Sequence, residues 1–146
     1  MRDLVKRAKD LAHRAHAGQV DKAGRPYIEH VARVAAAVSD DPEAEAVAWL
    51  HDVLEDCPDF WDEVYQFPGE VFGAVECLTR GCYNNPKLYY DIIRDVPAAL
   101  RVKLADIADN ANEERLALLD NKTAARLRRK YAKALEALKG GEDERS

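Results

Sequence analysis

Apolar residues recur every three or four positions along most of this chain, the spacing that places side chains on one face of an α-helix. The clearest case is the N-terminal segment, whose apolar positions are Leu4, Val5, Ala8, Leu11, Ala12 and Ala15. This segment predicts an amphipathic helix from about residue 2 to residue 17. No stretch alternates apolar and polar residues convincingly with the two-residue period of a half-buried strand.

The same helical spacing continues beyond a loop at residues 18–27 and is interrupted mainly by prolines and glycines. A second helix is predicted around 28–38, and a third from about Pro42 to the residue before Pro58, which disfavours helical geometry at its predecessor. Further helical segments cover 60–67, 68–80, 85–95, 97–119 and 120–139. We predict an all-α, single-domain bundle of about seven or eight helices over residues 1–139, and a disordered tail at 140–146.

Charge and composition narrow the classes of partner. The net charge is −5, from 22 basic and 27 acidic residues, which argues against a dedicated nucleic-acid binder. The basic stretch KTAARLRRKYAK keeps nucleic-acid binding as an alternative, although a solvated helix face explains it more simply. An anionic small-molecule substrate stays compatible, because a metal ion can reverse the field within one pocket.

Several features favour a cytoplasmic protein without a membrane partner. No apolar run approaches the length of a membrane span, and the N-terminus lacks the apolar block of a signal peptide. Cys57, Cys77 and Cys82 are an odd number without metal-ligand spacing, so we expect free thiols. The sequence carries no signal for the oligomeric state.

The segment WLHDVLEDCPDF concentrates carboxylates at the predicted end of the third helix. Asp52, Glu55 and Asp56 are unfavourable there because the helix dipole is negative at that end, and no Lys or Arg lies nearby in the segment. A divalent cation near His51 and Asp52 would relieve this repulsion and leave Glu55 and Asp56 one turn away, close enough to act on a water molecule. A solvated acidic helix end is the alternative, and this segment alone does not decide between them.

Two further residues could complete a metal site. His30 is a second imidazole available to join His51, and Asp106 enters a mostly apolar run on one stripe with Lys103 and Asn110. A half-buried structural histidine and a polar stripe facing water are the alternatives. Two imidazoles and two carboxylates suit Mn²⁺, Fe²⁺ or Mg²⁺ better than a closed structural zinc site, with Co²⁺ also possible. Such a site predicts metal-assisted hydrolysis of a phosphate ester or anhydride.

Three ordered segments, AHAGQVDKAGRPYIEHVARVA, AWLHDVLEDC and VKLADIADN, resemble the HD-domain phosphohydrolases, specifically the RelA/SpoT-type (p)ppGpp hydrolases and their stand-alone relatives. The resemblance covers roughly residues 8 to 120 and implies an HD-domain fold. It implies that a metal, usually Mn²⁺, is held by four ligands, His30, His51, Asp52 and Asp106. The implied reaction removes pyrophosphate from the ribose 3′ position of guanosine tetra- or pentaphosphate.

The resemblance also implies roles for neighbouring residues. Glu55 and Asp56 match the acidic pair that orients or deprotonates the attacking water. Lys22 and Tyr27 match positions lining the nucleotide pocket, and Asn110 matches a residue near the ribose. Lys103, which shares a helix stripe with Asp106 and Asn110, is predicted to contact the substrate as well. His16 matches a family position that we interpret as scaffold.

The guanine-side positions depart from the family pattern. Asp21 stands where a basic residue often precedes the loop lysine, Ala23 replaces a frequent serine, and Ala111 and Asn112 follow Asn110 in place of a methionine or leucine and an arginine. Two alternatives therefore stay open. The domain could hydrolyse another nucleotide or small phosphate ester, or it could be a catalytically silent nucleotide-binding module.

Overall fold

The computed structural model describes residues 2–79 and 85–145, and these residues form an all-helical domain. Seven of its helices have nine residues or more: α1 (Arg2–Ala15), α2 (Tyr27–Ala37), α3 (Pro42–Leu50), α6 (Gly69–Cys77), α7 (Pro86–Arg94), α8 (Pro97–Asn110) and α10 (Asn121–Arg145). The shorter elements are α4 (Val53–Asp56), a 3₁₀ turn (Pro58–Phe60), α5 (Trp61–Tyr65) and α9 (Glu113–Leu116). The predicted all-α class is confirmed. Cys82 lies outside the described residues, and neither Cys57 nor Cys77 forms a disulfide within the part of the chain that the structure describes.

Helix α3 is the centre of the bundle. Its sequence is apolar on nearly every side, which is typical of a helix surrounded by others, and it packs against α1, α2, α6 and α8. Asp41 starts the helix by accepting a hydrogen bond from the Glu43 amide at 3.1 Å, with Pro42 in the first turn. Helix α10 covers the other side of the domain against α7 and α8.

The single helix predicted between Pro42 and Pro58 is wrong, because the chain turns at His51 and Asp52 between α3 and α4. The Ala48 carbonyl, which would accept the Asp52 amide in a continuous helix, instead accepts from the His51 ring Nδ1 at 2.6 Å and from the His51 amide at 3.4 Å. The imidazole therefore takes over a backbone acceptor. This break separates the acidic residues from the end of α3.

The single helix predicted over 97–119 is also two helices, α8 and α9. Asn112 lies between them, and its side-chain oxygen accepts from the amides of Glu114 and Arg115 at 2.8 and 3.3 Å. An asparagine in this position starts a new helix.

Helix α10 continues to Arg145, beyond the residue at which the predicted tail begins, so the division of the chain after residue 139 stays a prediction. Among the residues described by the structure, no helix is both long and apolar enough to cross a membrane.

Candidate metal centre

Three separate parts of the bundle bring the four predicted metal ligands together. His30 lies on α2, His51 and Asp52 occupy the break between α3 and α4, and Asp106 lies on α8. One potential ligand atom from each of the four lies within 4.8 Å of the others. The Asp106 Oδ1 atom is 2.9 Å from His30 Nε2 and 3.4 Å from His51 Nε2, and His51 Nε2 is 3.0 Å from Asp52 Oδ2.

Both histidines are oriented by a partner on the far side of the ring. A carbonyl can only accept, so the 2.6 Å contact between His51 Nδ1 and the Ala48 oxygen places the proton on Nδ1. His30 Nδ1 lies 2.6 Å from the Asp109 carboxylate. In both rings Nε2 therefore faces the cluster. A partner of this kind on the second ring nitrogen is usual for histidines that bind metals.

The His51 Nε2 atom tests whether an ion fits the cluster. It is buried and has no hydrogen-bond partner within the described residues, although Asp52 Oδ2 is only 3.0 Å away. Two neighbouring ligands at ~2.1 Å from one ion are themselves about 3 Å apart. The close approach without hydrogen-bond geometry, together with the mixed nitrogen and oxygen donors, fits a divalent cation.

The electrostatics of the cluster depend on its histidines. Burial raises the pKa of Asp106, but the hydrogen bond from His30 and the adjacent His51 imidazole outweigh it and hold this pKa well below its ordinary value. Burial lowers the pKa of both histidines, and the facing carboxylates more than reverse this, so both pKa values are raised. Without an ion, protons on the imidazoles balance the buried carboxylates.

Three residues predicted to contact substrate also contact the ligand carboxylates. The Tyr27 hydroxyl donates to Asp52, and Asn110 Nδ2 donates to Asp106 Oδ1 at 3.0 Å. The Lys103 ammonium lies 3.4 Å from Asp106 Oδ2. All three also line a cavity of about 330 Å³ beside the cluster, and we name it the metal cavity.

The two residues of the predicted acidic pair, Glu55 and Asp56, have different surroundings. Glu55 lines the metal cavity. The Asp56 carboxylate accepts from Gln19 Nε2 at 3.2 Å, in the loop that precedes α2. Burial and the neighbouring Asp52 raise the pKa of Asp56. Our placement of both residues at the negative end of a long helix was wrong, because they lie in the first turn of α4.

The loop between α1 and α2 forms one wall of a second cavity of about 310 Å³, which we name the loop cavity. Lys22 and Tyr27 line it, and so does Asn110, which the loop cavity shares with the metal cavity. The loop turns at Gly18 and Gly24, each with a φ of +82°, a backbone conformation that favours glycine. His16, predicted as scaffold, is buried beneath the loop with its Nδ1 2.8 Å from Gln19 Oε1.

Asp21 does not present a free negative charge to the loop cavity. Its Oδ1 atom accepts from the amides of Ala23 and Arg25, both at 2.9 Å, and its Oδ2 atom accepts from Arg115 at 3.0 Å. Arg115 lines the same cavity. The Arg115 guanidinium on α9 therefore lies beside Asp21, the loop position at which the resemblance leads one to expect a basic residue.

Sequence reasoning missed two residues of this network, Asp109 and Arg115. The Arg115 guanidinium contacts Asp109 Oδ2 at 2.8 Å and Asn110 Oδ1 at 3.1 Å. Asp109 follows Asp106 by three residues on α8, so its helical spacing was a usable signal. Arg115 had none, because its position depends on the break between α8 and α9.

Comparison with known proteins finds several relatives, among them the following three, and no protein-family model matches the chain. The chain is 31% identical over 127 residues to the bifunctional (p)ppGpp synthase/hydrolase SpoT of Escherichia coli K12, a match that covers 74% of this chain and 18% of SpoT. It is 41% identical over 124 residues to a guanosine-3′,5′-bis(diphosphate) 3′-pyrophosphohydrolase of Vibrio cholerae serotype O1, covering 74% and 17% of the two chains. It is 34% identical over 123 residues to a GTP pyrophosphokinase rsh of Brucella ovis, covering 73% and 16%.

The chain thus spans less than a fifth of the length of these relatives. Its all-helical fold and its buried His/Asp cluster agree with the resemblance read from the three motifs. Over about three quarters of its length, the chain is homologous to RelA/SpoT-type proteins. This homology is consistent with an HD-domain hydrolase of that type.

Proposed function

We propose that this chain is a divalent-metal-dependent phosphohydrolase that removes pyrophosphate from the ribose 3′ position of guanosine tetra- or pentaphosphate. The observation that carries the proposal is the convergence of two oriented Nε2 atoms and two carboxylates beside an open cavity. The relatives' names, a (p)ppGpp synthase/hydrolase and a guanosine-3′,5′-bis(diphosphate) 3′-pyrophosphohydrolase, support the substrate. A cytoplasmic location, expected from the sequence, belongs to the same proposal.

The ligands in this proposal are His30, His51, Asp52 and Asp106, and the ion is Mn²⁺, with Fe²⁺, Mg²⁺ or Co²⁺ as alternatives. When bound, the ion polarises a phosphoryl oxygen and lowers the pKa of water. Tyr27 and Asn110 hold the two ligand carboxylates in place through their hydrogen bonds. The Lys103 ammonium adds positive charge where a pyrophosphate would lie.

Glu55 is the residue in this proposal that accepts a proton from the attacking water, and Asp56 assists it. The water oxygen forms a bond to the phosphorus attached to the ribose 3′ oxygen. The bond between this phosphorus and the 3′ oxygen breaks. The 3′ oxygen takes up a proton and leaves as a hydroxyl group. The products are guanosine 5′-diphosphate or triphosphate and pyrophosphate.

The experiment measures pyrophosphate released from guanosine tetraphosphate by purified protein with added Mn²⁺. We expect turnover by the unaltered protein and a loss of at least a thousandfold in kcat for His51→Ala and Asp52→Asn, because each removes a ligand. His13→Ala is the matched control, since His13 is exposed on α1 and lies outside the cluster. Absence of turnover on both guanosine nucleotides, with turnover on another phosphate ester, would transfer the proposal to that substrate.

Tight nucleotide binding without any turnover would instead favour the silent binding module. Glu55 argues against that reading, because its carboxylate lines the metal cavity, where it can accept a proton from the attacking water.

A further inference from the structure

A basic groove lies between α7 and α10, outside the metal centre. We define it by its lining residues on the two helices, which are Pro86, Lys87, Tyr90, Asp91, Arg94, Arg126, Arg129, Lys130, Lys133, Ala134 and Ala137. They recur every three or four positions, so one face of each helix forms a wall. The groove has a volume of about 730 Å³ and contains six cationic side chains and one carboxylate.

The single carboxylate does not neutralise the groove. Asp91 is paired within α7, where its two oxygens contact Lys87 and Arg94. On α10, Arg126, Arg129 and Lys133 have no ion-pair partner among the side chains that the structure describes. This local excess of positive charge contrasts with the net charge of −5 of the whole chain. Separated cations of this kind favour an anionic ligand.

A hydrogen bond from Arg94 joins the two helices at the base of the groove. Arg94 crosses from α7 to α10 and donates to the Ala137 carbonyl at 2.6 Å. Its Nε atom is buried and has no hydrogen-bond partner within the described residues. The guanidinium therefore holds the two helices together and leaves a donor under the groove.

The groove is continuous with the site already described. Tyr90 and Ala134 line both the groove and the metal cavity, and Lys130 lines these two and the loop cavity as well. The three cavities therefore meet at Lys130 on α10. A ligand centred there can extend in three directions, toward the metal cluster, the loop and the basic groove.

We propose that the basic groove binds a second phosphate chain of the nucleotide, the 5′ chain that is not hydrolysed. This inference rests on the proposed function, because it assumes a 3′ pyrophosphate in the metal cavity. The 3′ and 5′ positions belong to one ribose, so a ribose near Lys130 can direct one chain into each cavity. The 5′ chain then meets Arg126, Arg129 and Lys133, which makes the groove a selector for nucleosides with phosphate chains at two positions.

The test compares three guanosine 3′-diphosphates that carry no phosphate, a diphosphate or a triphosphate at the 5′ position. The groove variant is Arg126→Gln with Lys133→Gln. The matched control is Lys122→Gln with Lys139→Gln, which removes the same charge from exposed positions of α10 outside the groove. The four substituted side chains are exposed, so both variants keep the buried core.

We expect the groove variant to raise KM for the 5′-triphosphate about tenfold and for the 5′-diphosphate somewhat less, with kcat within about twofold, since charge-assisted hydrogen bonds to phosphate are lost. KM for the nucleotide without 5′ phosphate should stay within about twofold, and the control should resemble the unaltered protein. An equal change for all three nucleotides, or none, would overturn the proposal.

A binding measurement separates this inference from the proposed function. Inorganic tripolyphosphate, titrated into metal-free protein, should bind the unaltered and control proteins and lose at least fivefold in affinity for the groove variant. If no nucleotide is hydrolysed but this loss is seen, the hydrolase proposal fails while the groove remains an anion site. Equal tripolyphosphate binding by all three proteins contradicts the groove, and loss of single-stranded RNA binding alone would assign it to nucleic acid.

Discussion

At the scale of single residues, the orientation of His30 depends on Asp109. The carboxylate holds Nδ1 at 2.6 Å and is itself held by Arg33 at 2.7 Å and Arg115 at 2.8 Å. Asp109 has a pKa of about 2, because the hydrogen bonds from His30 and Arg33 outweigh the raising effect of burial. Asp109 is therefore ionised at neutral pH and can fix the proton on His30 Nδ1.

We predict that Asp109→Asn weakens Mn²⁺ binding about tenfold, because an amide orients the imidazole less firmly than a carboxylate. Calorimetric titration of the metal-free protein measures the Kd. Asp62→Asn is the matched control, since Asp62 is exposed on α5 and lies away from the cluster. An unchanged Kd in Asp109→Asn would show that His30 needs no such partner.

The pH dependence of metal binding follows from the raised pKa values of His30 and His51. In the metal-free protein both imidazoles keep their protons to a higher pH than usual, and an ion can bind only after they are released. Lowering the pH should therefore weaken Mn²⁺ binding by between ten- and a hundredfold per unit, according to whether one or two protons are displaced. Titrations between pH 6 and 8 in buffers of different ionisation enthalpy count these protons, and a Kd independent of pH would contradict the assignment.

At the scale of helices, two breaks shape the site. The turn at His51 directs both His51 and Asp52 toward His30 and Asp106, which a continuous helix through these residues would not do. The break at Asn112 allows α9 to return Arg115 toward the loop before α2. Both breaks arise from side chains that bond to the backbone, at His51 and at Asn112.

Asn112→Ala should lower the free energy of unfolding by about 1 kcal/mol, because it removes the acceptor for the first amides of α9. Since Arg115 lies on that helix, KM for the nucleotide should rise as well. Asn112→Asp retains the acceptor and serves as the control. Urea unfolding measures the first effect, and equal stability of the alanine and aspartate variants would refute the capping role.

Periodicity predicted the long helices, because each buries one regular apolar face or, for α3, is surrounded on all sides. It could not predict the two breaks, since neither contains proline or glycine and both depend on local side-chain hydrogen bonds. The cluster was predictable because His30, His51, Asp52 and Asp106 are residue types that the core accepts only with partners. The role of Arg115 was not predictable, and the basic stretch of α10 was visible only as a charged helix face, because both depend on how α9 and α10 lie against the rest of the domain.

At the scale of the whole molecule, the cluster joins segments that are far apart in the sequence. Residues 30, 51, 52 and 106 meet because α2, α3 and α8 pack on one another in the core. Three cavities open beside this junction and share Lys130, an arrangement that suits the branched nucleotide proposed above. The negative net charge of the chain is compatible with an anionic substrate because six cationic side chains line the basic groove next to the metal cavity.

The central claim is that these four residues hold one divalent ion. The most direct measurement is an anomalous difference map from a crystal of the protein soaked in Mn²⁺. The account predicts one strong peak within ~2.0–2.4 Å of His30 Nε2, His51 Nε2 and carboxylate oxygens of Asp52 and Asp106. A fully soaked crystal with no peak at this cluster, or with the ion bound only by other residues, would contradict it.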